Sequence, residues 1–370
     1  MTLRYGIIGS GMMGQEHMRN IALLPDTKVA AVSDPDDGMR LMAQKLAGEG
    51  CAAFTHHGEL LASGLCDALV IAAPNFLHHP ILKDVLKSDL PILVEKPLCT
   101  TPEHCREIVA LARSRKAPVW VAMEYRYMPP LIRLAQKLEA GEAGKLRMLT
   151  IREHRFPFLK KVGDWNRFNE NTGGTLVEKC CHYFDLMRLL TKSEPVRIYA
   201  SAAMDVNFID EEYGGRRPDI IDNGFVIVDF ENGVRAMLDL CMFAEGSYWQ
   251  EEISATGDVA RIDARIPGPA RFSTDGKERK SEIAVSVRAS KRVTTEAVEV
   301  DEDILAAGDH HGSTYYQHER FRALILKGGK PEVGLAEGMT AVLMGAAAEQ
   351  SARTGAAIDF REWAKDKQSG

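Results

Sequence analysis

Three groups of residues in this 370-residue chain have the types and spacing that chemistry requires. The first is Gly9-Ser10-Gly11-Met12-Met13-Gly14, directly after the apolar run Leu3–Ile8. A buried strand that breaks into G-x-G-x-x-G and then into a helix suits a dinucleotide. The first glycine makes the tight turn, the second lets backbone approach a pyrophosphate, and the third packs helix on strand. The free N–H groups of the helix start then face the phosphate charge. Asp34 follows the run Val29-Ala30-Ala31-Val32, twenty positions after Gly14, where a carboxylate accepts from ribose hydroxyls. That carboxylate repels a 2′-phosphate, so the pattern favours NAD over NADP. Arg40 is expected too far along its helix to offset it.

The second group is Glu95-Lys96-Pro97, after the run Leu90–Val94. An amine at a rigid strand end, before a proline, projects into the crevice where open parallel sheets bind ligands. The third is Glu178-Lys179-Cys180-Cys181-His182. Glu178 and His182 are spaced to share one helix face, and the surrounding residues are apolar, so both need partners. A carboxylate and an imidazole one turn apart could also ligate a metal. No H-E-x-x-H pattern or third nearby histidine supports that, and no metal is expected. The adjacent Cys180 and Cys181 are read as packing residues.

These groups must be positioned by elements, and the chain supplies them in two textures. Up to about residue 125, strands are expected at 4–8, 28–33, 51–54, 68–73, 91–95 and 118–123, separated by segments long enough for crossover helices. This alternation predicts a doubly wound parallel sheet. The strand ends carry the glycine loop, Asp34, Ala73-Pro74-Asn75 with His78, Glu95-Lys96 and Glu124-Tyr125-Arg126-Tyr127. After Pro129-Pro130 come a helix, a strand at 147–154, and a loop at 156–171 that includes Asp164-Trp165-Asn166-Arg167. Gly173-Gly174 and an amphipathic stretch at 175–190 follow. Glu231-Asn232-Gly233 between two apolar runs is a hairpin signal. Strands at 196–204, 250–257 and 259–265 extend an antiparallel sheet. The segment 267–300 reads as polar and peripheral, and His318–Lys327 and Ala336–Thr354 as helices. The expected domains are 1–125 and 126–370. His310 and His311 read equally as a substrate-facing loop or a polar helix start.

The net charge is −6, and no basic run appears, which disfavours nucleic acid and anionic membrane as partners. No apolar stretch reaches membrane-spanning length, and the N-terminus enters a strand without a signal-peptide pattern. Seven scattered cysteines do not form a disulfide framework. The expectation is a reduced, cytoplasmic protein.

Together, the Gly9–Gly14 loop, Ala73-Pro74-Asn75 with His78, Glu95-Lys96-Pro97, and Gly173-Gly174 followed by Glu178 and His182 resemble one family. It is the oxidoreductase family named for glucose–fructose oxidoreductase, inositol dehydrogenase and the rhizopine protein MocA. The resemblance spans nearly the whole chain. It implies an N-terminal Rossmann domain and a C-terminal α+β domain with an open, mostly antiparallel sheet that forms a homodimer or homotetramer. It implies hydride transfer between NAD or NADP and a hydroxyl or keto carbon of a sugar, cyclitol or sugar derivative. Lys96 and His182 would be catalytic, with Glu178 where the family usually has aspartate. Gly9, Gly11, Met12, Met13, Gly14, Asp34, Ala73, Pro74, Asn75, His78, Glu95 and Lys96 would line the cofactor. Arg126, Trp165 and Arg167 would face substrate. Two other readings remain open: a relative that cleaves glycosides through transient oxidation by retained NAD, and a non-catalytic NAD-responsive binding protein.

Overall fold

A computed structural model describes residues 2–272, 275–277 and 279–369. In chain order the strands are β1 (Leu3–Ile8), β2 (Thr27–Ser33), β3 (Ala52–Phe54), β4 (Ala68–Ile71), β5 (Ile92–Val94), β6 (Val119–Val121), β7 (Leu146–His154), β8 (Pro195–Ala203), β9 (Asn223–Phe230), β10 (Arg235–Cys241), β11 (Trp249–Gly257), β12 (Ala260–Pro267), β13 (Ser281–Val287), β14 (Val293–Val298) and β15 (Ile358–Asp359). The helices used below are α1 (Met12–Leu23), α2 (Asp37–Ala47), α3 (Thr175–Glu178), α4 (Cys181–Thr191), α5 (Ser313–Lys327) and α6 (Leu335–Thr354).

The chain forms two units, one of residues 1–128 and 300–342, the other of 129–299 and 343–370. The break near residue 128 lies close to the boundary expected from the sequence. Residues 300–342, expected in the C-terminal domain, belong to the first unit.

In the first unit six parallel strands run in the order β3-β2-β1-β4-β5-β6. The chain order reverses between β1 and β4, which is where such a sheet opens a crevice beyond its carboxyl ends. Strands β4, β5 and β6 are buried throughout because helices cover both faces, hence their unbroken apolar runs. Tyr5, Ile7, Val70, Leu93 and Trp120 pack with Met18 and Ile21 of α1 and Phe321 of α5.

The second unit is built on a nine-stranded sheet, order β14-β13-β12-β11-β7-β10-β9-β8-β15. It is mostly antiparallel, with β7 and β10 parallel at its centre. Asn232 and Gly233 turn the β9–β10 hairpin as expected, Gly233 at φ 84°. Burial alternates along β9 and β10, so one face is core and the other is open. Strands β13 and β14 lie in the stretch read as peripheral. Val293 and its neighbours are largely exposed, and an edge strand without an apolar face leaves little sequence signal. Among the described residues, no helix is long and apolar enough to cross a membrane.

Candidate active site

The glycine loop has the geometry its spacing predicts. Gly9 has φ 93°, and a Cβ there would come within 2.7 Å of the Ala72–Ala73 backbone. A Cβ on Gly14 would lie 2.1 Å from the Gly9 carbonyl oxygen, so helix and turn are in direct contact. Gly11 differs, since a Cβ there would meet nothing within 4 Å. It caps α1 without any side-chain hydrogen bond, and Met12 just beyond it is about half exposed. The open space therefore sits where helix N–H groups converge, which is where a pyrophosphate fits. Asp34 is drawn to the same loop, its Oδ2 accepting from the Ser10 N–H at 2.7 Å.

Two buried polar atoms support the same ligand. Ser10 Oγ and Asn75 Nδ2 lack a hydrogen-bond partner among the described residues. A buried donor is rarely left unmade, so each points to a group that the bound dinucleotide would supply. Arg40 lies nearer than its sequence position suggested. Its Nη1 donates to the Asp34 carbonyl oxygen at 2.6 Å, and it also pairs with Asp37 at the start of α2.

Beyond β4 and β5 the predicted residues divide. The His78 ring is fully buried, its Nδ1 2.8 Å from the Pro97 oxygen and its Nε2 3.0 Å from the Ala73 oxygen. It braces the two loops rather than facing outward. Burial holds it neutral by pushing its pKa down, so only one of the two contacts carries a proton. Glu95 is also turned inward, its Oε1 2.9 Å from His17 Nε2. Lys96 alone of this pair is partly exposed.

Sequence reasoning missed a buried polar cluster behind these loops. His310 Nδ1 lies 2.9 Å from Glu16 Oε1 and 3.6 Å from Glu124 Oε1. The Thr314 hydroxyl lies 2.8 Å from Glu16 and 2.7 Å from Glu124. One hydroxyl donates only once, so a proton must reside on one carboxyl. Burial raises Glu124, and the charges of Glu95 and Glu16 add to it despite the opposing His310. Glu16 goes the other way, to about 2: burial opposes its charge, but His310 and Thr314 outweigh it. Glu124 is thus the protonated partner, donating to Thr314, which donates to Glu16. These atoms also have the types of metal ligands and lie within 4.8 Å of one another, but they are engaged with each other. Nothing in local spacing signals residues 16, 124 and 310 as neighbours.

In the second unit, Gly174 (φ 94°) opens α3, and a Cβ there would strike Glu349 Oε1 at 2.3 Å. That carboxyl accepts the Leu176 N–H at 2.9 Å and so anchors the short helix carrying Glu178. The expected continuous helix over 175–190 is interrupted at Lys179–Cys180. The Cys180 N–H reaches back five residues to Thr175 before α4 begins. Glu178 and His182 therefore lie on successive helices. Both are buried. At this interruption the Lys179 amine pairs with the buried Glu153 at 2.9 Å. Glu251 is the cross-strand neighbour of Glu153 and is raised to about 7, by burial first and then by Glu153.

Glu349 is likewise pushed up by burial, to about 7. It stays protonated in the fold while the unfolded chain ionises from about 4.5, so its stabilising effect is full below that pH and is lost as pH rises through about 7. Glu349→Gln keeps an acceptor for Leu176 and cannot ionise. Relative to the parent, its unfolding free energy is expected to rise by up to about 3 kcal/mol between pH 4 and pH 8. Urea unfolding at the two pH values measures this, and a constant difference would contradict it.

The substrate-side residues separate as well. The Arg167 guanidinium is buried, bonded to Glu211 at 2.8 Å and stacked 3.9 Å from the Phe208 ring centre. It holds its loop together instead of presenting a free charge. Trp165 is partly exposed beside Lys161. Arg126, in the first unit, reaches the Glu332 carbonyl oxygen at 3.3 Å.

Residues 3–123 match the family model described as an oxidoreductase family with an NAD-binding Rossmann fold, and residues 135–360 match its C-terminal alpha/beta domain. The chain belongs to the Gfo/Idh/MocA oxidoreductase family. Inositol 2-dehydrogenase of Arthrobacter sp. (strain FB24) is 30% identical over 249 residues, 67% of this chain and 69% of that one. The rhizopine catabolism protein MocA of Rhizobium meliloti is 32% identical over 192 residues, 52% of this chain, and the match spans 58% of that relative's length. Levoglucosan dehydrogenase, solved with NADH and levoglucosan, superposes with a TM-score of 0.81 over 97% of this chain and all of that one, at 19% identity. At that identity the likeness concerns the fold. As a Gfo/Idh/MocA oxidoreductase, the chain has its nicotinamide dinucleotide site in the first unit.

Proposed function

We propose that this protein is an NAD-dependent dehydrogenase that oxidises a secondary hydroxyl of a sugar, cyclitol or related polyol. The observation that carries the reading is the open space at Gly11, in the unit that also holds the orphaned Ser10 and Asn75 groups and presents Lys96. The inositol and levoglucosan dehydrogenases named above are supporting likenesses. Asp34, oriented by the Ser10 N–H, gives NAD its preference over NADP through charge repulsion, and Arg40 does not cancel it because it is already engaged.

A nicotinamide dinucleotide held by the Gly9–Gly14 loop and Asp34 would supply the acceptor for the hydride of the carbinol carbon. The residues do the rest. His182 takes the hydroxyl proton, a task suited to imidazole because its ordinary pKa of about 6.5 lies near working pH. Lys96 remains cationic and donates to the oxygen as alkoxide character develops. Glu178 binds a neighbouring hydroxyl or orients the imidazole. NADH formation over a panel of inositols, aldoses, anhydrosugars and glycosides, with NAD and NADP in parallel, tests the reading. Turnover of a polyol with NAD is expected. Release of sugar from a glycoside without net NADH would replace the reading with the hydrolytic one.

The open face of the second unit's sheet is the proposed subunit interface. Tyr199 and Ile227 are paired across strands there, and Phe225 lies on the same face, all three substantially exposed. A contiguous apolar face of this kind needs cover. Phe225→Glu with Ile227→Glu is expected to leave a monomer in sedimentation velocity, and an unchanged oligomer would reject this face.

A further inference from the structure

Lys96 is one residue beyond a buried chain of hydrogen bonds that starts on helices far from it in sequence. His318 of α5 lies with Nε2 2.8 Å from His17 Nδ1 on α1. His17 Nε2 lies 2.9 Å from Glu95 Oε1, and Glu95 Oε2 accepts the backbone N–H of Lys96 at 3.1 Å. All three side chains are buried: His17 and His318 fully, Glu95 nearly so. The two histidine nitrogens can bond only if one carries a proton and the other does not. His17 is the donor. Burial opposes its charge, but the hydrogen bond to Glu95 and the charges of Glu95 and Glu16 outweigh that and raise it. His318 is held neutral by burial and by the His17 charge. As an imidazolium, His17 uses one N–H on His318 and the other on Glu95. The ring is thereby locked at both ends, and its position fixes the carboxylate that holds the Lys96 backbone.

We propose that His17, seated on His318, is a positioning residue for Lys96 that acts through Glu95. The proposal rests on Lys96 being catalytic, as argued above. A buried carboxylate with one oxygen on a cation and the other on a backbone N–H has no freedom to rotate. The ammonium at Lys96 is therefore carried on a pre-set backbone, as a rigid site demands. Both histidines are fully buried and bonded within this chain, so their role is positioning.

The test compares His17→Leu with His17→Gln, which retains a side-chain N–H for Glu95, and runs Lys96→Ala beside them. With the polyol that the parent oxidises fastest, His17→Leu is expected to lower kcat by about 10²-fold, the scale of a small misplacement of a reacting group. The NAD dissociation constant, from fluorescence titration, is expected to stay within about threefold, because the glycine loop is untouched. Amide exchange of the 92–98 peptide, read by mass spectrometry, is expected to quicken. His17→Gln is expected to restore most of the kcat and the slow exchange. Should His17→Leu fail to fold, Glu95→Asp carries the same test, since it keeps the charge and shortens the reach to Lys96. An unchanged kcat in a folded His17→Leu or Glu95→Asp, with Lys96→Ala inactive, would overturn the positioning role alone. An active Lys96→Ala would overturn both the role and the reading of Lys96.

Discussion

Lys96→Ala is expected to reduce turnover by at least about 10³-fold while the protein still binds NAD. The loss follows from where the charge is needed. An alkoxide developing on the substrate is stabilised best by a cation already in place, because a fixed donor needs no reorganisation at the moment of reaction. Lys96 meets that condition: its backbone is held by Glu95, and it is the partly exposed member of a buried pair. The glycine loop, Asp34 and Asn75 are untouched by the change, so cofactor affinity should survive. Steady-state kinetics with a parallel NAD titration checks it. Retained activity would remove Lys96 from the chemistry.

His182→Ala is expected to lower kcat by about 10²–10⁴-fold, the usual weight of a general base. His182 lies in the first turn of α4, just after the interruption at Lys179–Cys180. A loss below tenfold with normal NAD binding would place the base elsewhere. A KM change alone would make His182 a binding group.

Much of this was legible in the sequence because some requirements are local. The steric demands of Gly9 and Gly14 act within a few residues of each, and the hairpin at Asn232-Gly233 depends only on its own turn. Thr101 caps the helix Pro102–Leu111 by accepting the His104 N–H, and caps are also local. The departures share the opposite cause. The helix over 175–190 is interrupted at Lys179, whose partner Glu153 lies on β7, a pairing that no periodicity in 175–190 reveals. Arg167 was expected to meet substrate, but Glu211 and Phe208, far along the chain, hold its charge. Glu95 and His78 belong to a recognisable motif, yet their side chains serve as internal braces. The Glu16–Thr314–Glu124–His310 cluster joins residues nearly three hundred positions apart, and only the fold brings them together. Arg40 reached Asp34 because an arginine side chain spans a full helical turn, which a count of positions understates.

The most direct test of hydride transfer uses a polyol deuterated at the carbinol carbon, incubated with the purified protein and NAD, with the nicotinamide product analysed by mass spectrometry. The account predicts NADH carrying one deuterium, formed more slowly than from the unlabelled polyol if hydride transfer limits the rate. Oxidation of the polyol with no deuterium in the nicotinamide would contradict it.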